Sequence, residues 1–328
     1  MRSLSPISLA LLLPICGIAY AGPAWTDAEK AAEEHADFNL QGEYSGTINH
    51  DGDEAKVGIQ VIALGKGKFR AVGYPGGLPG DGWDGEEKKS GEAQLVDGAV
   101  TFKDENMSAI LKDGKITIKT SDGEELGALE KVQRKSPTLG AKPPEGAVVL
   151  YGGPDDVANW KGGKADEAGN LQQGVTSNET FGDHTLHVEF CIPYQPEDGG
   201  QGRGNSGLYL QGRYEVQMLD SFGLEGKQNE CGGIYSVKAP DLNMAFPPLS
   251  WQTYDVEYTS AKYEGDKLVS NPRVTVKHNG VVIHKDVELP GQRNTTAAPV
   301  KAGPEPGPVY LQNHGNPVRY RNIWAVRK

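Results

Sequence analysis

Short alternations of apolar and polar residues, each closed by a turn, run through most of this chain and leave little room for long helices. The cleanest is 185–192, TLHVEFCI, with Leu186, Val188, Phe190 and Ile192 on one side and His187, Glu189 and Cys191 on the other. Successive side chains on a strand point to opposite faces, so this pattern describes a strand buried on one face. Asn279-Gly280 joins two more such runs, 273–278 and 281–284, and is the strongest hairpin signal present. Gly 44 and Pro 21 both exceed ordinary usage, which favours many short strands over helices. The fold class is therefore all-β.

The strands fall into two groups. Residues 38–135 form a small β unit, with strands at 43–48, 56–64, 68–74, 92–96, 99–103, 109–111 and 115–120. Turn signals separate them, among them Gly65-Lys66-Gly67, Asp97-Gly98 and Asp113-Gly114. Consecutive hairpins predict a meander closing into a barrel or sandwich. Residues 147–328 carry the second group, at 185–192, 208–210, 214–219, 252–258, 273–278, 281–284, 309–312 and 320–326, which predicts a two-sheet jelly roll. Between them, 136–146 (SPTLGAKPPEG) reads as a semi-rigid linker. Ahead of them, 22–37 is a short helical lead-in in which Thr26 is placed to cap and Glu29 follows three residues on.

Residues 1–21 have the layout of an export signal: Arg2, an apolar stretch at 7–18, and the small-x-small site Ala19-Tyr20-Ala21. The expectation is a cleaved signal peptide and a periplasmic or extracellular protein. The apolar stretch is too short to span a membrane, and no other segment reaches the ~20 apolar residues a span requires. Cys16 follows Ile15 rather than a small residue, against a lipid anchor. Beyond the signal, Cys191 and Cys231 can form one disulfide or stand as two buried thiols. The formal charge of −11 argues against nucleic acid as a partner and is compatible with a neutral carbohydrate.

The chemistry concentrates in 204–223, GNSGLYLQGRYEVQMLDSFG. On the strand 214–220, Tyr214, Val216 and Met218 share one face, and Glu215 and Gln217 share the other. Strict alternation sends Asp220 inward, and a bulge at Met218-Leu219 would bring it round to join Glu215. Two carboxylates in different environments can divide acid and base roles. Arg203, Asn205, Tyr209 and Arg213 form a surrounding polar set suited to sugar hydroxyls. A second segment, 312–324 (QNHGNPVRYRNIW), adds Gln312, Asn316, Arg319 and the imidazole of His314, a candidate general acid or base. Tyr209, Tyr235 and Trp251 are candidates to stack on pyranose rings. No phosphate loop, dinucleotide fingerprint, HExxH or Gly-x-Ser-x-Gly elbow is present. A metal requirement stays open, with a divalent cation allowed.

Residues 204–223, 229–235 (NECGGIY), 251–258 (WQTYDVEY), 273–291 and 309–324 resemble the bacterial 3-keto-disaccharide hydrolases. The opening 149–160 (VLYGGPDDVANW) resembles the start of that family, with its Asp-Gly-Lys segment altered. The resemblance covers 147–328 and does not reach the first β unit. It implies a concanavalin-like β-sandwich in an exported, carbohydrate-degrading protein. It also implies a route: a ketone at C3 acidifies the C2 hydrogen, its removal lets the C1 substituent leave, and water then adds. A separate sugar 3-oxidoreductase would supply the ketone. On position and chemistry, Glu215 or His314 would be the base and Asp220 the acid. Arg203, Arg319 or a cation would stabilise the enolate, and Gln217, Asn205, Tyr209, Gln312 and Asn316 would orient hydroxyls. Two other readings stand beside this one. Glu215-x-Gln217-x-x-Asp220 resembles the paired-carboxylate strand of retaining β-glucanases, which need their carboxyls ~5–5.5 Å apart. The same sandwich can also serve as a non-catalytic carbohydrate-binding module.

Overall fold

Eight strands linked by successive hairpins open the chain: β1 (Gly42–His50), β2 (Asp53–Ala63), β3 (Lys68–Pro75), β4 (Lys89–Val96), β5 (Ala99–Lys103), β6 (Met107–Lys112), β7 (Lys115–Thr120) and β8 (Glu125–Val132). β1 pairs antiparallel with both β2 and β8, which closes a barrel. This computed structural model describes residues 22–328; the export signal expected at 1–21 lies outside the described residues. The alternation pattern did not reveal β8. Leu126 and Leu129 both enter the barrel core although they lie three positions apart, an odd spacing, because the pairing with β7 slips at Ile118/Lys119.

Tyr44, Val61, Phe69, Val100, Leu111, Ile116 and Leu129 fill the barrel. Two short helices, α1 (Ala28–Glu34) and α2 (Ala36–Leu40), add Ala31, Phe38 and Leu40 to that core. Asp27, not Thr26, caps α1: its carboxylate accepts from Lys30 N. Tyr194 reaches in from the second half of the chain and meets Phe38 edge-on at 5.0 Å.

The second half is a sandwich of two antiparallel sheets. Its strands are β9 (Val148–Tyr151), β10 (Trp160–Lys161), β11 (Leu171–Gln172), β12 (Val175–Phe181), β13 (His184–Cys191), β14 (Ser206–Leu210), β15 (Tyr214–Met218), β16 (Trp251–Thr259), β19 (Arg273–His278), β20 (Val281–Glu288), β21 (Gly307–Leu311) and β22 (Arg319–Arg327), and a separate two-stranded ribbon, β17 (Lys262–Glu264) with β18 (Lys267–Ser270), lies between β16 and β19 in the chain. One sheet runs β10-β12-β21-β14-β15; the other runs β11-β22-β13-β16-β19-β20, with β9 on β22. Leu186, Val188 and Phe190 of β13 face Leu208, Val216 and Met218 across a continuous core, as the alternation requires. The β19–β20 hairpin turns at Asn279 (φ 49°) and Gly280 (φ 81°), the left-handed pair that a tight hairpin needs.

The disulfide alternative is not realised. Cys191 and Cys231 are separate buried thiols, and burial pushes them up to about 12 and about 11. Cys231 Sγ lies 3.2 Å from the Tyr254 hydroxyl instead.

The segment 136–146, between the barrel and the sandwich, is laid against the outer face of the larger sheet. Ser136 Oγ lies 2.6 Å from Thr253 Oγ1, Thr138 Oγ1 donates to Asp255 Oδ2 (2.6 Å), and Gly140 N donates to Glu189 Oε1 (2.5 Å). His187 is buried below, with Nδ1 2.6 Å from Asp255 Oδ1 and its ring stacked on Trp324. Glu189, which also takes Arg321 and Asn322, is held down to about 2: burial opposes ionisation, and the surrounding donors outweigh it. The outward polar residues of β13 thus bind this segment.

The outside of the barrel also packs on the sandwich. Ile62, Val72 and Tyr74 from β2 and β3 join Phe222, just beyond β15, in one small core. No described helix is long and apolar enough to cross a membrane.

Candidate active site

β15 carries the decisive residues on its outward face. Tyr214, Val216 and Met218 point into the sandwich core, which leaves Glu215 and Gln217 on the other side of the sheet. There they form the floor of a depression of about 110 Å³, together with Gln201, Asn205, Tyr235, Thr296, Ala297, Gln312 and His314. None of the lining side chains is a lysine or arginine. Loops on either side of β14 and β15 cover this face, so Glu215 and Gln217 are almost fully buried although they lie outside the core.

Glu215 is the centre of the arrangement. Tyr209 Oη donates to Glu215 Oε2 at 2.9 Å, and Gln312 Nε2 reaches Tyr209 Oη at 3.2 Å. With its amide nitrogen turned towards the carboxylate, Gln217 donates to Glu215 Oε1 at 3.0 Å and to Ser206 O at 2.9 Å. Burial pushes the Glu215 carboxyl up to about 7, and the Tyr209 hydrogen bond only partly counters this. Tyr209 Oη also lies 2.8 Å from Thr296 O. A phenol has one proton for these two acceptors, so it can pass its donation to Thr296 when Glu215 is protonated. Gln312 Oε1 is buried with no partner among the described residues, which leaves an acceptor for an incoming hydroxyl.

Gly207 makes the position of Glu215 accessible. It pairs with Gln217 across β14–β15, and a Cβ built on it would stand 2.1 Å from Glu215 Oε1. Gly207→Ala should therefore displace the carboxylate. We expect a loss of turnover of at least about tenfold with the fold intact, measurable as activity beside an unchanged far-UV spectrum; unchanged turnover would show that the position of this carboxylate does not matter.

The structure brings together Asn205, Tyr209, Glu215, Gln217, Gln312 and His314, and with them Tyr235. It places the other candidates elsewhere. Asp220 does not come round to the pocket: β15 ends at Met218, and its carboxylate pairs with Arg203, Nε to Oδ2 2.5 Å, both buried. The two-carboxylate site of a retaining glycosidase is thus not assembled from Glu215 and Asp220. Arg203 is likewise committed, donating through Nη1 to Ala63 O at 3.1 Å. Arg213 donates to Lys301 O (2.7 Å) and Glu305 O (2.9 Å), which holds the loop that presents Thr296 and Ala297. Asn316 donates to Gln195 Oε1 and Gly202 O, both at 2.8 Å. Arg319 pairs with Asp166 at 2.9 Å, and Trp251 lies under the Arg321 guanidinium, 4.0 Å from the ring centroid, on the larger sheet. Sequence reasoning missed Gln201, Thr296 and Ala297, which sit on irregular loops without alternation. Among the described residues no group of three or more His, Cys, Asp or Glu is arranged to hold a metal ion.

The chain belongs to the family described as the 3-keto-alpha-glucoside-1,2-lyase-like domain, whose sequence profile matches residues 117–326. That match begins in β7, so it takes in the end of the barrel as well as the whole sandwich. Among solved structures, one from Parabacteroides distasonis ATCC 8503, crystallised as a presumptive glycosyl hydrolase, is 31% identical, with a TM-score of 0.50 over 56% of this chain and 85% of its own. A second from the same organism, under the same description, is 18% identical, with a TM-score of 0.41 over 56% of this chain and 94% of its own, too loose to carry an argument. No curated protein matches the chain.

Proposed function

We propose that this protein cleaves 3-keto-glycosides, 3-keto-disaccharides among them, by elimination followed by hydration. One observation carries the reading: a single carboxyl, Glu215, lies buried on the floor of an uncharged polar pocket with its pKa moved to about 7. A general base is most effective with a pKa near the working pH. Glu215 takes the proton from C2, and the electrons pass to the C3 carbonyl as an enolate. The C1–O bond then breaks, and the leaving oxygen takes a proton from His314 on the exposed rim. Water adds at C1 of the resulting enone, C2 recovers a proton, and the sum is hydrolysis. Gln312 keeps one amide hydrogen for the enolate oxygen, and the amide oxygens of Asn205, Gln217 and Gln312 orient hydroxyls. Membership of the lyase-like family and the 31% identity to a presumptive glycosyl hydrolase support the class of reaction.

The test offers the protein a disaccharide and its 3-keto derivative in deuterated water. We expect cleavage of the keto form alone, with deuterium at C2 of the product. Cleavage of the parent sugar at an equal rate, or product without deuterium, would overturn the elimination route. Binding without cleavage of either would leave a carbohydrate-binding module.

A further inference from the structure

The first described residue lies on a carboxylate. Gly22 N is 3.0 Å from Asp198 Oδ1 and 2.9 Å from Asp198 Oδ2. A peptide nitrogen carries one proton and directs it well at one acceptor. An ammonium carries three and satisfies both oxygens of a carboxylate at once. The small-x-small pattern Ala19-Tyr20-Ala21 independently places a cut before the same residue.

We propose that export processing cleaves the Ala21–Gly22 bond and that the new α-ammonium of Gly22 docks on Asp198, where it braces two of the loops that carry the pocket. In the cut, water gives its hydroxyl to the Ala21 carbonyl and a proton to the Gly22 nitrogen, which is protonated below about pH 8. The bracing runs through Gln195. Its Nε2 donates to Asp198 Oδ2 at 2.8 Å, and its Oε1 accepts from Gly204 N at 3.1 Å and from Asn316 Nδ2 at 2.8 Å. Gly204 precedes the pocket residue Asn205, and Asn316 lies two residues after His314. The strap is seated independently: Trp25 and Tyr194 exchange backbone hydrogen bonds at 3.0 and 2.9 Å. The charged groups nearby are Asp198 itself, Glu197 with its partner Lys66 from the β2–β3 turn, and Glu34 on the Trp25 indole; His35 packs edge-on against that ring.

The test compares the full mature chain beginning at Gly22 with the same chain extended by Ser-Ala, each with and without Asp198→Asn. Thermal unfolding is the readout, so failure of the reaction proposed above does not affect it. The native terminus should raise Tm by roughly 2–4 °C at pH 6.5, and the gain should begin to fall above about pH 8, the free amine's pKa, and be lost at higher pH as the docked amine gives up its proton. Extension and Asp198→Asn should each abolish the gain and should not add. N-terminal sequencing of the exported protein should read Gly-Pro-Ala-Trp. Another cleavage position, equal Tm for native and extended chains, or an equal effect of Asp198→Asn in both would overturn the proposal.

Discussion

Glu215→Gln should lower turnover of a 3-keto-disaccharide by about 10²–10⁴-fold, the range a positioned general base supplies. The same variant should be more stable than the parent at pH 8. Folding raises this carboxyl from 4.5 to about 7, so the native state favours the protonated form. The ionised carboxyl costs nothing well below pH 4.5, costs progressively more through the window up to about 7, and carries its full cost above that. The shift corresponds to on the order of 3 kcal/mol, which the neutral amide recovers at pH 8 and not at pH 4. In the parent enzyme, kcat/KM should rise with pH through an apparent pKa near 7, because the base acts deprotonated. Lower activity with higher stability is a signature that mere damage to the site would not produce. If Glu215→Gln retains turnover and the pH profile, the base is another group, and His314 is the other candidate on the pocket wall.

The legible parts of this chain are those written in a period of two. β13, β15 and the β19–β20 hairpin follow directly from alternation and from Asn279-Gly280, and the outward face of β15 yields Glu215 and Gln217 without any structure. What alternation cannot show is where a strand stops. The reading of Asp220 required a bulge beyond Met218; β15 ends there, and the chain turns towards the barrel. A carboxylate next to a buried arginine is then a structural pair, and sequence does not distinguish the two cases. β8 was hidden by the opposite failure, a slip that puts Leu126 and Leu129 on one side at an odd spacing. Gln201, Thr296 and Ala297 were invisible because loops have no period. Their positions are fixed by side chains elsewhere, such as Arg213 for the 295–305 loop. Alternation on β13 puts His187 and Glu189 on the face away from the core without saying what covers it; they are buried because 136–146 lies over them.

Arg203→Ala should have the largest effect on stability. Arg203 joins three pieces of chain: Asp220 beyond β15, Pro196 in the loop after β13, and Ala63 at the end of barrel strand β2. Removing it leaves Asp220 buried without its cation, which costs about 3–5 kcal/mol in comparable pairs. Asp220 Oδ1 also accepts from Phe222 N at 3.3 Å, and Phe222 is the sandwich residue in the small core shared with Ile62, Val72 and Tyr74. The loss should therefore appear first at the barrel–sandwich contact. We expect a Tm lower by on the order of 10 °C, and faster hydrogen exchange at the Phe222 amide than at amides in the middle of β13. The paired change Arg203→Met with Asp220→Leu should cost less than Arg203→Ala alone, since apolar partners of similar volume leave no uncompensated charge. If the stability of Arg203→Ala lies within about 1 kcal/mol of the parent, the worth of an exposed pair, the bridge contributes little and the apolar contact of Phe222 alone holds the barrel in place.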